Sequence, residues 1–315
     1  IVEALDERRE AMRENGVRLS GVSEIVAHPR VIAPGELDGP VGLVLLAVKC
    51  PQTGAALRLV TDLLDDDGVV VSLQNGFELY RLVDSVGLQR GVGAVVTISG
   101  YVDKPGSIVH TNVGALTLGY ADGRRTTRIE AVSGLLSWVC PVEVSTELSR
   151  ALWSKAAISA VWFATALVDE DVVTILSTDQ YLGVLGGLAA EVARTAVLER
   201  VECFPIDGFD SRAFLPGATS PDQNKSWQDH LAFWRSISQA RTGVWRDLAV
   251  HKRQTEVDCI LSPIMEFAMR HNQTVPRLTR LVELVKDVEQ GSRPLAWENL
   301  DELVVEHARA TASGQ

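Results

Sequence analysis

Three apolar segments in the first half of the chain, separated by stretches of helical period, restrict the fold more than any other feature. They cover residues 41–48, 69–73 and 92–98, and they lack the apolar and polar alternation of a half-buried strand. Strands buried on both faces are typical of parallel sheets that helices cover on both sides. The pattern therefore predicts βαβ units in a doubly wound α/β sheet.

The second half of the chain has a different pattern. From residue 147 onward only helical periodicity is visible, in the stretches 147–167, 182–200, 227–238, 258–270 and 277–286. Between the halves, residues 107–112 and 115–120 predict an antiparallel hairpin around a Val113-Gly114 turn. We therefore predict an α/β domain over residues 1–146 and an all-α domain over residues 147–315.

Composition restricts the partners. The 315 residues carry a net charge of −11, which disfavours nucleic acid and anionic membranes and leaves small molecules as the natural ligands. The four cysteines, Cys50, Cys140, Cys203 and Cys259, are widely spaced and fit a reducing cytoplasm. The six histidines have no metal-ligand spacing, so we predict no metal site. The longest apolar runs are far shorter than the roughly 20 residues that span a bilayer.

One lysine lies among apolar and small residues at the border of the two halves. Helical spacing puts Lys155, Ser159 and Phe163 on one face of the helix predicted there. A lysine in such surroundings extends its ammonium group into solvent, pairs with an acid, or meets a ligand, and the first arrangement is the commonest. Lys155 is therefore a candidate site residue that needs support from the rest of the chain.

Six short stretches occur in collinear order over nearly the whole chain. They are R-E-N-G-V-R-L at 13–19, L-L-A-V-K-C-P-Q-T at 45–53, S-L-Q-N-G at 72–76, P-G-S-I-V-H at 105–110, L-W-S-K at 152–155 and R-Q-T-E-V-D at 253–258. Together they resemble the ketopantoate reductase family. The resemblance implies a Rossmann-type nucleotide-binding domain followed by an all-α domain that binds substrate. It also implies a cytoplasmic oxidoreductase of pantothenate biosynthesis that reduces a 2-oxo acid such as 2-dehydropantoate with hydride from NADPH. The abundant apolar helical faces of this second half also suggest a homodimer.

The resemblance assigns roles to individual residues. When hydride reaches a ketone carbon, negative charge grows on the oxygen, and a cationic proton donor stabilises that transition state. By resemblance, Lys155 is this general acid, Asn75 positions substrate and nicotinamide, and Glu256 contacts a substrate hydroxyl or the cofactor. Lys49 matches a lysine on the cofactor side, and Thr242 stands where the family has a serine of its substrate loop. The plainer readings are an Asn-Gly turn for Asn75 and a solvated helix-start glutamate for Glu256.

The cofactor assignment rests on the start of the chain. No G-x-G-x-x-G loop lies between a first strand and a first helix, so we expect this phosphate-binding loop upstream of Ile1 or lost. The first residues read like a strand that ends at Asp6, and such an acid favours the ribose hydroxyls of NAD. Arg8 and Arg9 follow it and could receive the 2′-phosphate of NADP. The family implies NADP, and the local sequence leaves NAD open.

Two further residues bear on the substrate. Ser159 and Phe163 stand where members of the family often carry asparagines, which predicts a less polar pocket. The alternatives to a ketopantoate-type reductase are a relative that acts on a bulkier keto or imine substrate and a catalytically silent, dimeric binding protein.

Overall fold

The computed structural model of the protein describes residues 1–238 and 240–312. It divides into two compact units. The first consists of Ile1–Gln74 and Leu79–Leu148, and the second consists of Asn75–Glu78 and the chain from Ser149 onward. The short segment Asn75–Glu78 thus belongs with the second unit, although the chain on both sides of it belongs to the first.

Nine strands form two sheets in the first unit. They are β1 (Val17–Gly21), β2 (Ile25–Ala27), β3 (Val41–Leu46), β4 (Leu64–Ser72), β5 (Gly91–Val96), β6 (Ser99–Lys104), β7 (Ser107–Asn112), β8 (Leu116–Gly119) and β9 (Val142–Val144). The larger sheet has the order β3-β4-β5-β8-β9, and the smaller one has the order β2-β1-β7-β6. In the larger sheet β3, β4 and β5 are parallel, and only β8 is antiparallel to its neighbour β5.

Helices cover both faces of the larger sheet. The α-helices of this part of the chain are α1 (Asp6–Asn15), α2 (Thr53–Val60), α3 (Glu78–Val86) and α4 (Thr127–Leu136). On the central strand β4, Val71 packs in a core that contains Ile129 of α4. Its neighbour Val70 lies on the other face, in a core with Leu57 of α2 and Leu82 of α3. Successive side chains of a strand alternate between faces, so this strand is buried on both, as its unbroken apolar run predicts.

The structure corrects the interpretation of segment 41–48. This strand, β3, lies at the edge of the larger sheet and pairs only with β4 among the described strands. Its Leu45 is 43% exposed, so burial on both faces is wrong here. The apolar pattern correctly identified a parallel strand, but a pattern of residue types does not distinguish an edge strand from a central one.

The predicted hairpin of residues 107–112 with 115–120 is also wrong. β7 pairs with β6 around the Pro105-Gly106 turn, whereas β8 belongs to the other sheet and pairs with β5. The physical reason is burial, since Leu118 of β8 has no exposed surface beside β5. The chain passes between the two sheets at Gly114, whose φ of 53° suits glycine. The predicted first strand is reduced to a single parallel bridge between Val2 and Ile32.

The second unit is helical. Its helices are α5 (Leu148–Thr165), α6 (Val172–Leu176), α7 (Asp179–Leu198), α8 (Ser220–Ser236), α9 (Gly243–Trp245), α10 (Val257–Ile260), α11 (Ser262–Arg270), α12 (Pro276–Glu289) and α13 (Trp297–Ala312). Within residues 149–238 and 240–312, the only β-pairing is an isolated bridge between Ile206 and Phe209. The all-α character predicted for this half is confirmed, and α13 is a helix that the periodicity did not reveal.

Helix α7 is long and apolar enough to cross a membrane, although its sequence contains no unbroken apolar run of that length. It has 20 residues, and 61% of its most apolar window is buried inside the protein. Its Glu191 has no exposed surface. A mostly buried helix with an internal carboxylate is typical of a protein core.

Candidate active site

Lys155 lies on α5, which is apolar on almost every side. Trp153 is 2% exposed and Ala157 has no exposed surface, so most of the helix faces protein, and Lys155 itself is only partly exposed. An apolar helix of this kind is a core helix. The lysine is therefore a cation held in largely apolar surroundings, which is an unusual position for that residue.

The charge state of Lys155 reflects this environment. Burial lowers its pKa to about 8, and the carboxylates of Asp207 and Glu256 oppose that change by favouring the charged form. Burial destabilises the charged ammonium and lowers its pKa, whereas nearby carboxylates stabilise it and raise its pKa. The resulting pKa lies close to neutral pH, so Lys155 is charged at pH 7 and can give up a proton at moderate cost.

The segment that leads to Glu256 is fixed by two of its residues. The next residue back, Thr255, donates to the Glu289 carboxylate from its backbone nitrogen at 2.7 Å and from its hydroxyl at 2.6 Å. Arg253 donates through Nε and Nη2 to Oδ1 of the buried Asp247, at 2.9 and 2.6 Å. Glu256 is 7% exposed and immediately precedes α10. The loop that carries it is thus fixed by two acidic anchors.

Asn75 lies beside Glu256. Its side-chain nitrogen donates to Oε2 of Glu256 at 3.4 Å, a long hydrogen bond between two residues that the sequence analysis had selected separately. Two residues further on, Phe77 packs edge-on to Trp153 of α5, with ring centroids 5.1 Å apart. Phe267 of α11 completes the aromatic cluster, 5.5 Å from Phe77 and 5.2 Å from Trp153. These rings fix the Asn75 segment against the helix that carries Lys155.

Gly76 allows this close approach. Its φ is 78°, and a Cβ atom at this position would lie 2.5 Å from the carbonyl oxygen of Cys259, which is closer than real Cβ atoms come to backbone. Only glycine adopts such a conformation without strain. The Asn-Gly pair is therefore both a turn and the place where two backbone segments meet.

Gly76→Ala should lower the free energy of unfolding by about 1–3 kcal/mol, from backbone strain at positive φ together with the contact to Cys259. Urea unfolding monitored by circular dichroism measures the change. Gly134→Ala is a matched control, because that glycine lies in α4 with open space around its Cβ position. Alanine there should be neutral or slightly stabilising. Equal effects of the two substitutions would contradict the proposed close approach.

The remaining candidates on the second unit differ in accessibility. Ser159 is 6% exposed, and Phe163 has no exposed surface with which to contact a substrate. Thr242 is 4% exposed, and its hydroxyl oxygen accepts from the Trp245 nitrogen at 3.1 Å, which caps the short helix α9. Ser159 and Phe163 lie on α5 at the predicted helical spacing from Lys155, and the substrate contacts of all three residues stay predictions. The hydroxyls of Ser159 and Thr242 can donate a hydrogen bond, which the phenyl ring of Phe163 cannot.

The cofactor candidates lie in the first unit. Asp6 and Arg8 are in the first turn of α1, and the Asp6 carboxylate forms an ion pair with Arg9. Arg8 is partly exposed. Lys49 follows β3 and is also partly exposed, where its carbonyl oxygen accepts from the Gln52 nitrogen at 2.8 Å. Asp6 thus begins the helix that also carries Arg8, whereas the sequence analysis placed it at the end of a strand.

The sequence analysis missed one charged group, Asp207. It lies between Ile206 and Phe209, outside the helical stretches that the sequence predicts. Of the two carboxylates that favour charged Lys155, that of Asp207 has the larger effect. A signal was present in the sequence. Asp207-Gly208 is one of the dipeptides preferred in two-residue hairpin turns, flanked here by apolar residues.

Proteins of similar sequence and solved structures of the same fold are known. A 2-dehydropantoate 2-reductase of Mesorhizobium japonicum is 27% identical over 318 aligned positions, which cover 90% of this chain and 88% of that protein. The crystal structure of 2-dehydropantoate 2-reductase from Geobacter metallireducens superposes with a TM-score of 0.77 at 22% identity, covering 91% of each chain. The ternary structure of D-mandelate dehydrogenase with NADH and anilino(oxo)acetate has a TM-score of 0.77 at 17% identity, covering 92% of this chain and 90% of that one.

The family comparison covers both halves of the chain. The model described as Ketopantoate reductase PanE/ApbA matches residues 2–123, and the model of the C-terminal part of the same family matches residues 147–289. The two solved structures, both below 25% identity, agree with the fold that these matches imply. Since the two matches lie in the expected order and together cover most of the sequence, this chain belongs to the ketopantoate reductase family.

Proposed function

We propose that the protein reduces the ketone of a small 2-oxo acid, with NADPH as the hydride donor and Lys155 as the general acid. The observation that carries the proposal is the setting of Lys155, a partly exposed cation whose burial brings its pKa to about 8. Membership of a reductase family supports the reaction class. The substrate and the choice of cofactor rest on the residues discussed next.

The proposed mechanism divides the work among three residues. A bound nicotinamide supplies the hydride. As the ketone carbon accepts it, the oxygen becomes an alkoxide, and Lys155 transfers a proton from Nζ to that oxygen. The O–H bond of the product forms as an N–H bond of Lys155 breaks, and the neutral amine is then reprotonated from water. Asn75 and Glu256, joined by their hydrogen bond, hold the substrate or the cofactor ribose in register with Lys155.

The start of α1 fits the adenosine end of the phosphorylated cofactor. The Asp6 carboxylate already forms an ion pair with Arg9, so it is less available for ribose hydroxyls than an unpaired acid would be. Arg8 is partly exposed in the same turn and can receive a 2′-phosphate. Lys49 would add a second positive charge on the cofactor side. These features favour NADP over NAD.

Cofactor binding and turnover test the proposal together. The full natural protein is titrated with NADPH and with NADH while its tryptophan fluorescence is recorded, and loss of NADPH absorbance is then followed with a panel of 2-oxo acids. We expect tighter binding of NADPH and turnover of at least one acid of the panel. Binding of neither nucleotide would overturn the reductase proposal and favour a catalytically silent, dimeric binding protein.

The panel should extend beyond 2-dehydropantoate. Ser159 in place of an amide makes the surroundings of Lys155 less polar than in the family pattern, which favours a bulkier or more apolar keto or imine substrate. An aryl 2-oxo acid is included because D-mandelate dehydrogenase, which shares this fold, was solved with anilino(oxo)acetate. A role in pantothenate biosynthesis, a cytoplasmic location and a homodimer are part of the proposal and stay predictions for this chain.

A further inference from the structure

A two-residue hairpin turn carries Asp207. The backbone nitrogen of Ile206 donates to the oxygen of Phe209 at 3.0 Å, and the nitrogen of Phe209 donates back to the oxygen of Ile206 at 2.8 Å. The two residues between them both have positive φ, 50° for Asp207 and 76° for Gly208. This is the type I′ geometry, in which Asp-Gly is a preferred pair.

The turn is locked onto helix α8. A Cβ atom on Gly208 would lie 2.5 Å from the backbone oxygen of Asp229, so the turn approaches the helix as closely as glycine permits. Phe209 is 2% exposed and packs against Trp227 of the same helix, with ring centroids 5.1 Å apart. Asp210 adds a further contact to α8, because its backbone nitrogen donates to the Ser226 hydroxyl at 2.9 Å.

A buried histidine fixes the backbone of Asp207. Nδ1 of His230 lies 2.8 Å from the Asp207 carbonyl oxygen, and Nε2 receives the indole N–H of Trp234 at 3.0 Å. A carbonyl only accepts and an indole N–H only donates, so the ring carries its proton on Nδ1. Burial lowers the pKa of His230 to about 4, so the ring stays neutral around pH 7 and keeps this arrangement. The hydrogen bond from His230 therefore holds the backbone of the turn around neutral pH.

The residues before the turn are attached to α5, the helix that carries Lys155. The backbone nitrogen of Phe204 donates at 2.9 Å to the hydroxyl of Ser154, the residue next to Lys155 on α5. That hydroxyl in turn donates to the Arg150 oxygen at 2.7 Å. The segment from Phe204 to Asp207 is therefore tied both to α5 and to α8.

The charges of Asp207 and Lys155 influence each other. Burial raises the pKa of Asp207 to about 6, and the charge of Lys155 acts against that rise. In return, Asp207 contributes more than Glu256 to keeping Lys155 charged. Above pH 6 Asp207 is ionised, so the acid that supports the lysine is present at neutral pH.

We propose, on the basis of the proposed role of Lys155 as proton donor, that Asp207 is the positioning residue of this lysine. The backbone of Asp207 is fixed by the hairpin turn and by His230, and its segment is hydrogen-bonded to the helix of Lys155 through Ser154. Its carboxylate is the counter-ion that keeps the ammonium group charged before proton transfer. Glu256, which accepts a hydrogen bond from Asn75, is assigned to the substrate or cofactor. The two acids around Lys155 thereby have separate tasks, one on the protein side and one on the ligand side.

Asp207→Asn tests this division. Asparagine is equally suited to the first position of a type I′ turn, so the fold should be retained while the charge is lost. The titration of Lys155 is measured without turnover, by competitive acetylation at a series of pH values and mass spectrometry of the Lys155 peptide. We expect the midpoint to fall by about 1 pH unit when a neighbouring carboxylate is removed. Asp229→Asn is the control, because that exposed side chain pairs with Lys225.

Turnover gives the second measurement. Lys155 donates only below its pKa, so a lower pKa moves the alkaline limb of the kcat/KM profile to lower pH. At pH 8 a shift from about 8 to about 7 reduces the charged fraction, and with it the rate, by about five-fold. Below pH 6 Asp207 is protonated even in the wild type, and the two proteins should converge.

The outcomes separate this inference from the proposed function. An unchanged acetylation midpoint in folded Asp207→Asn would overturn the role of Asp207, whatever the activity. A lowered midpoint with an unchanged rate profile would support the counter-ion role and contradict Lys155 as the proton donor. Should Asp207→Asn fail to fold, Asp207→Gly provides the same charge loss, since Gly-Gly also forms this turn.

Discussion

Lys155→Ala should lower kcat for ketone reduction by about 10²–10⁴-fold, which is the usual contribution of a general acid. The loss should fall mainly on kcat, because the ammonium group acts on charge that develops in the transition state. Steady-state kinetics with the best substrate of the 2-oxo acid panel measure it. Nucleotide binding should persist, since Lys155 is proposed to act on the ketone oxygen rather than to hold the cofactor.

Two further variants sharpen this prediction. Lys155→Arg keeps the positive charge, but a guanidinium does not release its proton near neutral pH, so the rate should stay low. Lys225→Ala removes an exposed lysine that is paired with Asp229, and its rate should equal that of the wild type. Near wild-type kcat in Lys155→Ala would show that the proton comes from another group or from water.

The fold was predictable where single elements carry strong patterns. Unbroken apolar runs identified the three parallel strands β3, β4 and β5 of the larger sheet, and period 3.6 identified most helices of the second unit. Pairing between strands was less predictable, as the wrong partner for β8 shows. Leu118 of β8 gains complete burial beside β5, and that gain depends on a sheet that a local pattern does not contain.

The candidate site also contains residues that the sequence identified and one that it did not. Lys155, Asn75 and Glu256 were selected from collinear motifs, and the structure joins Asn75 to Glu256 by a hydrogen bond. Asp207 was not selected, because its importance depends on a partner more than fifty positions away on α5 and on a turn held by His230. Long-range electrostatics of this kind have no signature in the local sequence beyond the Asp-Gly turn itself.

The second large effect concerns stability. Glu191 of α7, which has no exposed surface, accepts from the Arg277 Nη1 at 3.0 Å and from the backbone nitrogens of Arg277 and Leu278 at 3.1 and 2.9 Å. It thereby caps the start of α12, where a negative charge is favourable. Arg277 extends the network to α13, because its Nε donates to Nδ1 of His307 at 2.9 Å. Three helices of the second unit meet at this ion pair.

Arg277→Leu should lower the free energy of unfolding by about 3–5 kcal/mol, because it leaves the Glu191 carboxylate buried without its counter-ion. Urea unfolding followed by circular dichroism measures the change. Lys225→Ala breaks an ion pair whose side chains are 75% and 50% exposed, and it should cost less than about 1 kcal/mol. Adding Glu191→Gln to Arg277→Leu should recover part of the loss, since the unpaired charge is then gone. A double variant less stable than Arg277→Leu would mean that the carboxylate stabilises α12 mainly through its backbone hydrogen bonds, and that the helix cap outweighs the ion pair.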